Sequence, residues 1–264
     1  MVGKLRKALG HEPGPYARAL EVGAGTGYFT LNLVRAGVIR EAVATDISPG
    51  MLRTLSGSAE ELGLEIETAA CEASALPFED ASFDLVFGHA VLHHLPDPDE
   101  AFREFRRVLR PGGVMAFCGE PSEYGDRIAS LPKRCAGVVA PLWRLVIGAR
   151  ARRNGARRDG GGEEERLERV VDVHAFTPSA LAAHARSAGL EHVRVSGEEL
   201  AASLFGWTNR TLEATAEPDE VPWAWRVYAY RGYLLLQALD RSLLEPRLPA
   251  AFFYNLLISA RVPG

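Results

Sequence analysis

The sequence predicts an open α/β fold, a mostly parallel sheet with helices on both faces, and three observations carry that prediction. A short apolar stretch, Leu20-Glu21-Val22, runs into alternate glycines at 23, 25 and 27 and then opens a helical pattern. Strand-like and helix-like segments alternate from there to about residue 120. Polar residues Glu21, Asp46, Glu72 and His89 stand at or just beyond successive expected strand ends, where a sheet of this kind places its ligand crevice.

The chain has 264 residues, 47% hydrophobic and 24% charged, which fits one sizeable α/β domain with insertions. A net charge of −4 argues against a general nucleic-acid-binding surface. Cys71, Cys118 and Cys135 are widely spaced and form no C-x-x-C pair, so neither a disulfide framework nor a cysteine zinc site is expected. The N-terminal residues lack an apolar signal core, and no apolar run reaches the ~18 residues a spanning helix needs. The expected setting is the reducing cytoplasm. Composition leaves the oligomeric state open.

Each element follows in order. Residues 1–16 hold a basic, partly helical stretch and the break Pro13-Gly14-Pro15. In the loop after the first strand, glycine without a Cβ lets the main chain turn with φ > 0 and lets a ligand lie against it. Phe29, Leu31, Leu33 and Val34 give one amphipathic helix, stopped near Gly37. A second strand, Glu41–Asp46, ends in a carboxylate nineteen residues beyond Gly27, placed to accept hydrogen bonds from both hydroxyls of a ribose. Pro49–Leu62 reads as helix and Leu64–Cys71 as strand. Ser82–Gly88 reads as a buried fourth strand from which His89 emerges. Val91–Asp97 then reads as a helix and turn, and Asp99–Leu109 as an amphipathic helix. Arg110-Pro111-Gly112-Gly113 reads as a turn before a fifth strand, Val114–Gly119. Thr177 caps a helix with Pro178 at its first position, a sixth strand covers Leu190–Ser196, and Phe253–Arg261 is the last strand.

A dinucleotide fingerprint, G-x-G-x-x-G, requires glycine where this chain has Tyr28. The loop instead reads Glu21-x-Gly23-x-Gly25-x-Gly27 and resembles motif I of the class I S-adenosylmethionine-dependent methyltransferases, in their type 11-like, small-molecule branch. Leu92-His93-His94-Leu95 and Leu109-Arg110-Pro111-Gly112-Gly113 extend the resemblance, which runs from about Leu20 to Glu120. It implies a Rossmann-like, seven-stranded sheet with the last strand antiparallel. It also implies S-adenosyl-L-methionine as cofactor, held by Glu21, Gly23, Ala24, Gly25, Thr26 and Gly27 at the loop and by Asp46 on the ribose. Glu72 and Ala73 would contact the adenine edge, Ile47 and Met51 its faces, and His89 would border the site.

Two stretches break the alternation and are expected to form a lid for the acceptor within one domain: 121–175 and 198–250, with 17–120 as the cofactor-binding half. All four tryptophans, Trp143, Trp207, Trp223 and Trp225, fall in them. That distribution favours a small hydrophobic or aromatic acceptor, since such pockets are lined mainly by apolar and aromatic side chains. A satellite core under the insertions explains the same aromatics. The apolar run 138–147, followed by Arg150, Arg152, Arg153, Arg157 and Arg158, adds the option of peripheral contact with a membrane. Gly160–Gly162 and Glu163–Glu165 read as a linker.

A sulfonium is already an activated methyl donor, so in-line displacement asks mainly for positioning, worth roughly 7–11 kcal/mol. A general base matters only for an acceptor that must lose a proton. His89, His93, His94, Glu120, Tyr124 and His174 are candidates by location, and the sequence does not choose among them. No metal site is expected, because adjacent His93 and His94 have no third ligand at suitable spacing. A nicotinamide-dependent oxidoreductase and a non-catalytic adenosylmethionine-binding protein are the alternatives.

Overall fold

In the computed structural model, residues 1–11, 13–152 and 175–264 are described. The chain forms two compact units. One comprises Met1–Glu120, Val173–Ser196 and Leu256–Gly264, and the other Pro121–Asp172 and Gly197–Asn255. The expected linker at 160–165, Arg153, Arg157, Arg158 and His174 lie outside the described residues.

The first unit is built on a seven-stranded sheet of order β3-β2-β1-β4-β5-β7-β6, with β7 antiparallel. Its strands are β1 (Tyr16–Val22), β2 (Ile39–Asp46), β3 (Ile66–Ala70), β4 (Phe83–His89), β5 (Leu109–Pro121), β6 (Glu191–Glu198) and β7 (Asn255–Arg261). Strands β3, β2, β1, β4 and β5 pair in parallel, so their carboxyl ends share one edge. Central strands of such a sheet are buried on both faces and read as near-continuous apolar runs. The stretch Phe83–Gly88 does so, interrupted only by half-buried Asp84.

Helix α1 (Val2–Leu9) turns Leu5, Ala8 and Leu9 into a core with Phe29, Leu33, Leu85, Phe87 and Leu257. Ser259 Oγ donates to the Ala8 carbonyl at 2.7 Å, tying that helix to β7. Helices α2 (Tyr28–Arg35), α3 (Pro49–Glu61) and α4 (Pro98–Val108) fill the crossovers. Helix α6 (Pro178–Ser187) starts as its sequence signature states: Thr177 accepts from the Ala180 amide at 3.1 Å, with Pro178 at the first position.

Two local expectations are corrected. Arg110–Gly113 is not a turn outside the sheet. Strand β5 begins at Leu109, opposite Phe83, and Val114 pairs with Leu85, so the four residues 110–113 stand opposite the single Asp84 and bulge. Gly112 takes a φ of 73° there, and its amide reaches the Val262 carbonyl. A bulge inserts residues without ending a strand, which composition alone does not separate from a turn. The Leu92–His94 stretch is one 3-10 turn rather than a longer helix.

The second unit is helical. The α5 helix (Glu123–Ile147) is capped by Ser122, whose Oγ accepts from the Gly125 amide and donates to the Phe253 carbonyl. Helix α7 (Ala201–Ala214) starts at Leu200, which offers no side-chain cap. Buried Asp240 replaces it, accepting from the amides of Ala201 and Ala202 at 3.0 and 2.9 Å. Helix α8 (Trp223–Leu239) joins them through rings. Trp143 of α5 meets Trp225 edge-on at 5.2 Å, Trp225 meets Tyr228 at 5.2 Å, and Phe205 meets Tyr228 at 5.7 Å. Ala136, Ala140, Trp143, Leu212, Ala216 and Val221 form a small core of this unit.

Candidate functional site

The carboxyl ends of β1 and β2 are joined through one carboxylate. Asp46, last residue of β2, accepts from the Gly25 amide through Oδ2 and from the Ser48 amide through Oδ1, each at 2.8 Å. An ionised carboxylate offers about four acceptor positions. Two remain after the backbone is served, enough for a pair of hydroxyls. Ser48, not Asp46, caps α3, accepting from the Met51 amide.

The three glycines have different reasons to be glycine. A Cβ on Gly23 would lie 2.4 Å from Val91 Cγ2, and one on Gly27 would lie 2.4 Å from Leu55 Cγ, so both sites are closed by the protein's own packing. Gly27 also takes a φ of 83° as the residue before α2. At Gly25 a Cβ would meet nothing within 4 Å. That position alone of the three faces open space.

Glu21 lies beneath this loop. Its carboxyl is buried and accepts from the Thr30 amide at 3.0 Å, with the Thr30 hydroxyl also in contact. Thr30 is in the first turn of α2, whose N-terminal Gly27 has no side chain to cap it, so the strand residue supplies the acceptor. Burial pushes the Glu21 carboxyl up to about 8, against the lowering effect of the Thr30 hydrogen bonds. Glu21 therefore shapes the loop from below. Thr30, which sequence reasoning did not select, completes that support and carries no motif signal of its own.

Large apolar side chains that face solvent are informative here. Among its described residues the first unit exposes four: Tyr28, Ile47, Met51 and Leu62. Three of them follow the carboxyl ends of β1 and β2, and Ile47, directly after Asp46, is 73% exposed. Glu72, exposed, and Ala73, half-buried, follow β3 in a turn closed by the Ala75 amide on the Glu72 carbonyl. Helix α4 fastens the chain beyond them. Arg107 donates to the carbonyls of Leu76 and Phe78, and Glu104 accepts from the Leu76 amide at 2.9 Å. The hydrogen bond from Arg107 holds the Glu104 carboxyl below the usual carboxylate range.

At the end of β4, His89 is half-buried with its ring 5.9 Å from that of Phe29. A Cβ on Gly119 would lie 2.9 Å from His89 Nε2, so glycine there makes room for the imidazole. Beside it, fully buried Glu120 accepts four hydrogen bonds: the amides of Val91 and Leu92 through Oε1, the amide of His93 through Oε2, and His93 Nδ1 at 2.9 Å. With every acceptor position taken, Glu120 is a clamp on the 91–93 turn, and the same contact orients the buried imidazole of His93. The rings of His93 and His94 lie with centroids 3.8 Å apart, tilted by 47°. Tyr124 belongs to the second unit and is exposed. Among the described residues no group of three His, Cys, Asp or Glu side chains is placed to hold a metal ion.

The residues present fit an adenosine cofactor with an amino-acid tail. They offer a carboxylate with spare acceptor capacity, exposed apolar side chains beside it and open space over one loop glycine.

The strand order with an antiparallel β7 defines the class I methyltransferase, Rossmann-like fold. Residues 20–117 match the family model "Methyltransferase domain", and over that stretch the chain is similar to the class I S-adenosylmethionine-dependent methyltransferases, whose methyl donor is S-adenosyl-L-methionine. It is 38% identical over 147 residues to a malonyl-[acyl-carrier protein] O-methyltransferase of Methylococcus capsulatus, covering 54% of this chain and 48% of that protein. To a ubiquinone/menaquinone biosynthesis C-methyltransferase of Bordetella avium it is 38% identical over 102 residues, 38% of this chain and 40% of that one. The chain thus spans about half or less of the length of these relatives. A phosphoethanolamine N-methyltransferase 2 of Haemonchus contortus, solved with S-adenosyl-L-methionine, superposes with a TM-score of 0.58 at 15% identity. That match covers 99% of this chain and 52% of that one, and it speaks to fold alone.

Proposed function

We propose that this protein transfers the methyl group of S-adenosyl-L-methionine to a small hydrophobic or aromatic acceptor by in-line displacement. The observation that carries the cofactor half is the pairing of Asp46 with Gly25, which sets a carboxylate beside the one loop glycine open to solvent. When bound, the sulfonium supplies an activated methyl group, and the protein's task is to position it.

Asp46 holds the ribose, Ile47 and Met51 cover the adenine, and Glu72 and Ala73 meet its edge. The backbone from Gly23 to Gly27 carries the amino-acid tail, with the amino-terminal end of α2 favouring its carboxylate. Glu21 supports that loop from beneath, and His89 borders the site. For an acceptor that loses a proton, the imidazole of His93, oriented by Glu120, is one candidate base beside His89 and His94.

The four tryptophans at 143, 207, 223 and 225 support an apolar or aromatic substrate, and the matched relatives are named for different acceptors, malonyl-[acyl-carrier protein] and the precursors of ubiquinone and menaquinone biosynthesis. Thermal melts with adenosylmethionine, adenosylhomocysteine and NAD test the cofactor assignment, since only a ligand preferring the native state raises Tm. Transfer of labelled methyl to a panel of phenols, quinols and carboxylic acids then tests the acceptor class. A Tm raised by NAD alone would replace this reading with the oxidoreductase one.

A further inference from the structure

We propose that the second unit docks on an anionic lipid surface through the exposed apolar faces of α5 and α8. The observation is a pair of helices whose outer apolar faces are exposed among the described residues and which, beyond the first turn of α5, carry only basic charges.

On α5, Ala136, Ala140 and Trp143 turn inward to the small core of the unit. The opposite side presents Val138, Val139, Leu142, Leu145 and Val146, with Val138 80% and Leu145 78% exposed. These recur at helical spacing, so they form one continuous stripe. Helix α8, Trp-Ala-Trp-Arg-Val-Tyr-Ala-Tyr-Arg-Gly-Tyr-Leu-Leu-Leu-Gln-Ala-Leu, has no buried residue at all. A helix this apolar on every side is normally buried. Here Trp223 is 76% exposed, and Tyr228, Tyr230, Leu234, Leu235 and Leu239 also face outward. The Trp143–Trp225 contact joins the two helices inside the unit.

Charge selects the partner. Between residues 127 and 152 the chain has Arg127, Lys133, Arg134, Arg144, Arg150 and Arg152 and no acidic residue, and α8 carries Arg226 and Arg231 and no acidic residue. Glu123 and Asp126, in the first turn of α5, are the acidic residues of the two helices, in a chain whose net charge is −4. Glu123 and Glu220 offset Arg127 and Arg150 by ion pairs. Exposed Arg134, Arg152, Arg226 and Arg231 accompany an apolar surface edged by Trp and Tyr, the side chains that settle at a headgroup boundary. An interfacial surface combines those features: apolar contact with the acyl boundary and cationic contact with anionic headgroups. No helix among the described residues is long and apolar enough to cross a membrane, so the contact is peripheral through this surface. The inference stands apart from methyl transfer and needs no acceptor.

Co-sedimentation of the full chain with vesicles tests it, using phosphatidylcholine alone and phosphatidylcholine mixed with phosphatidylserine. Binding is expected to the mixed vesicles at low salt and to fall as salt screens the arginines. The double variant Leu142→Asp, Leu145→Asp and the separate variant Leu235→Asp should each lose about tenfold or more in affinity, since each sets a charge in an apolar contact. All three changes are at exposed positions, and an unchanged adenosylmethionine-induced Tm shift separates loss of docking from loss of the cofactor site. As an independent readout on the wild type, brominated lipid should quench fluorescence, and Trp223→Phe should reduce that quenching. Failure to sediment with anionic vesicles at low salt, or equal binding by both Asp variants, overturns the proposal. A concentration-dependent dimer abolished by the same changes, without vesicle binding, would assign the surface to a second copy of the chain instead.

Discussion

The Asp46 carboxylate accepts the Gly25 amide at 2.8 Å, linking the loops that follow two neighbouring strands across 21 residues of sequence. The same carboxylate holds the Ser48 amide, so one side chain fixes both walls of the candidate site and still has capacity for a ligand. Asp46→Ala should weaken adenosylmethionine binding on the order of 1.5–3 kcal/mol, the usual worth of hydrogen bonds to a charged group. Asp46→Asn, which keeps one acceptor oxygen, should lose less. Calorimetric titration of the three proteins checks the order, and equal affinities would remove Asp46 from the site.

Glu21 makes a prediction about pH. Its folded-state carboxyl is pushed up to about 8 by burial, above an ordinary value of 4.5. Between those values the folded state holds a proton that the unfolded state releases, so stability falls as pH rises through this window. In Glu21→Gln that component disappears. Denaturant midpoints from pH 5 to pH 8.5 should decline more steeply in the wild type than in the variant. Parallel profiles would show that Glu21 is ionised in the fold.

The clamp at Glu120 is a stability prediction. Glu120→Gln leaves one oxygen for four donors and sets an amide donor against backbone amides in a buried place. A loss on the order of 2–4 kcal/mol is expected from chemical denaturation. If methyl transfer to an acceptor is in hand, its rate should also fall, because the 91–93 turn and the imidazole of His93 lose their anchor. A variant as stable as wild type would mean that the 91–93 turn is held by other contacts.

Two glycine replacements separate packing from ligand space. Gly27→Ala meets Leu55 and a φ of 83°, and should cost about 2–4 kcal/mol in stability. Gly25→Ala meets nothing and has only its φ of 54° to accommodate, about 1–2 kcal/mol. Thermal melts without ligand should therefore rank Gly27→Ala below Gly25→Ala. The reverse order would contradict the assignment of Gly27 to packing against α3.

Much of this arrangement is legible in the chain because its signals are local. The alternate glycines, the strand ending at Asp46 and the Thr177-Pro178 helix start each occupy a few consecutive residues and appear where expected. What is not legible depends on distant partners. Glu21 reads as a loop ligand, yet its geometry is that of a remote cap for α2, decided by Thr30 nine residues on. Glu120 reads as a candidate base until three amides and an imidazole, 27 to 29 residues away, are seen to fill it. The bulge at 110–113 looks like a turn because glycine and proline mark both. The aromatics of 198–250 read equally as a pocket or a core. Trp225 meets Trp143 edge-on inside the unit while Trp223 faces solvent, a division that composition cannot show.

The most direct test of the cofactor site is titration of S-adenosyl-L-methionine into wild-type protein and Gly25→Val, with far-UV circular dichroism to establish that both are folded. A side chain at 25 enters space that the fold leaves open, so it should obstruct the ligand without a clash inside the protein. The account predicts one saturable site in the wild type and no measurable binding in the folded variant. Wild-type affinity in a folded Gly25→Val protein would contradict it.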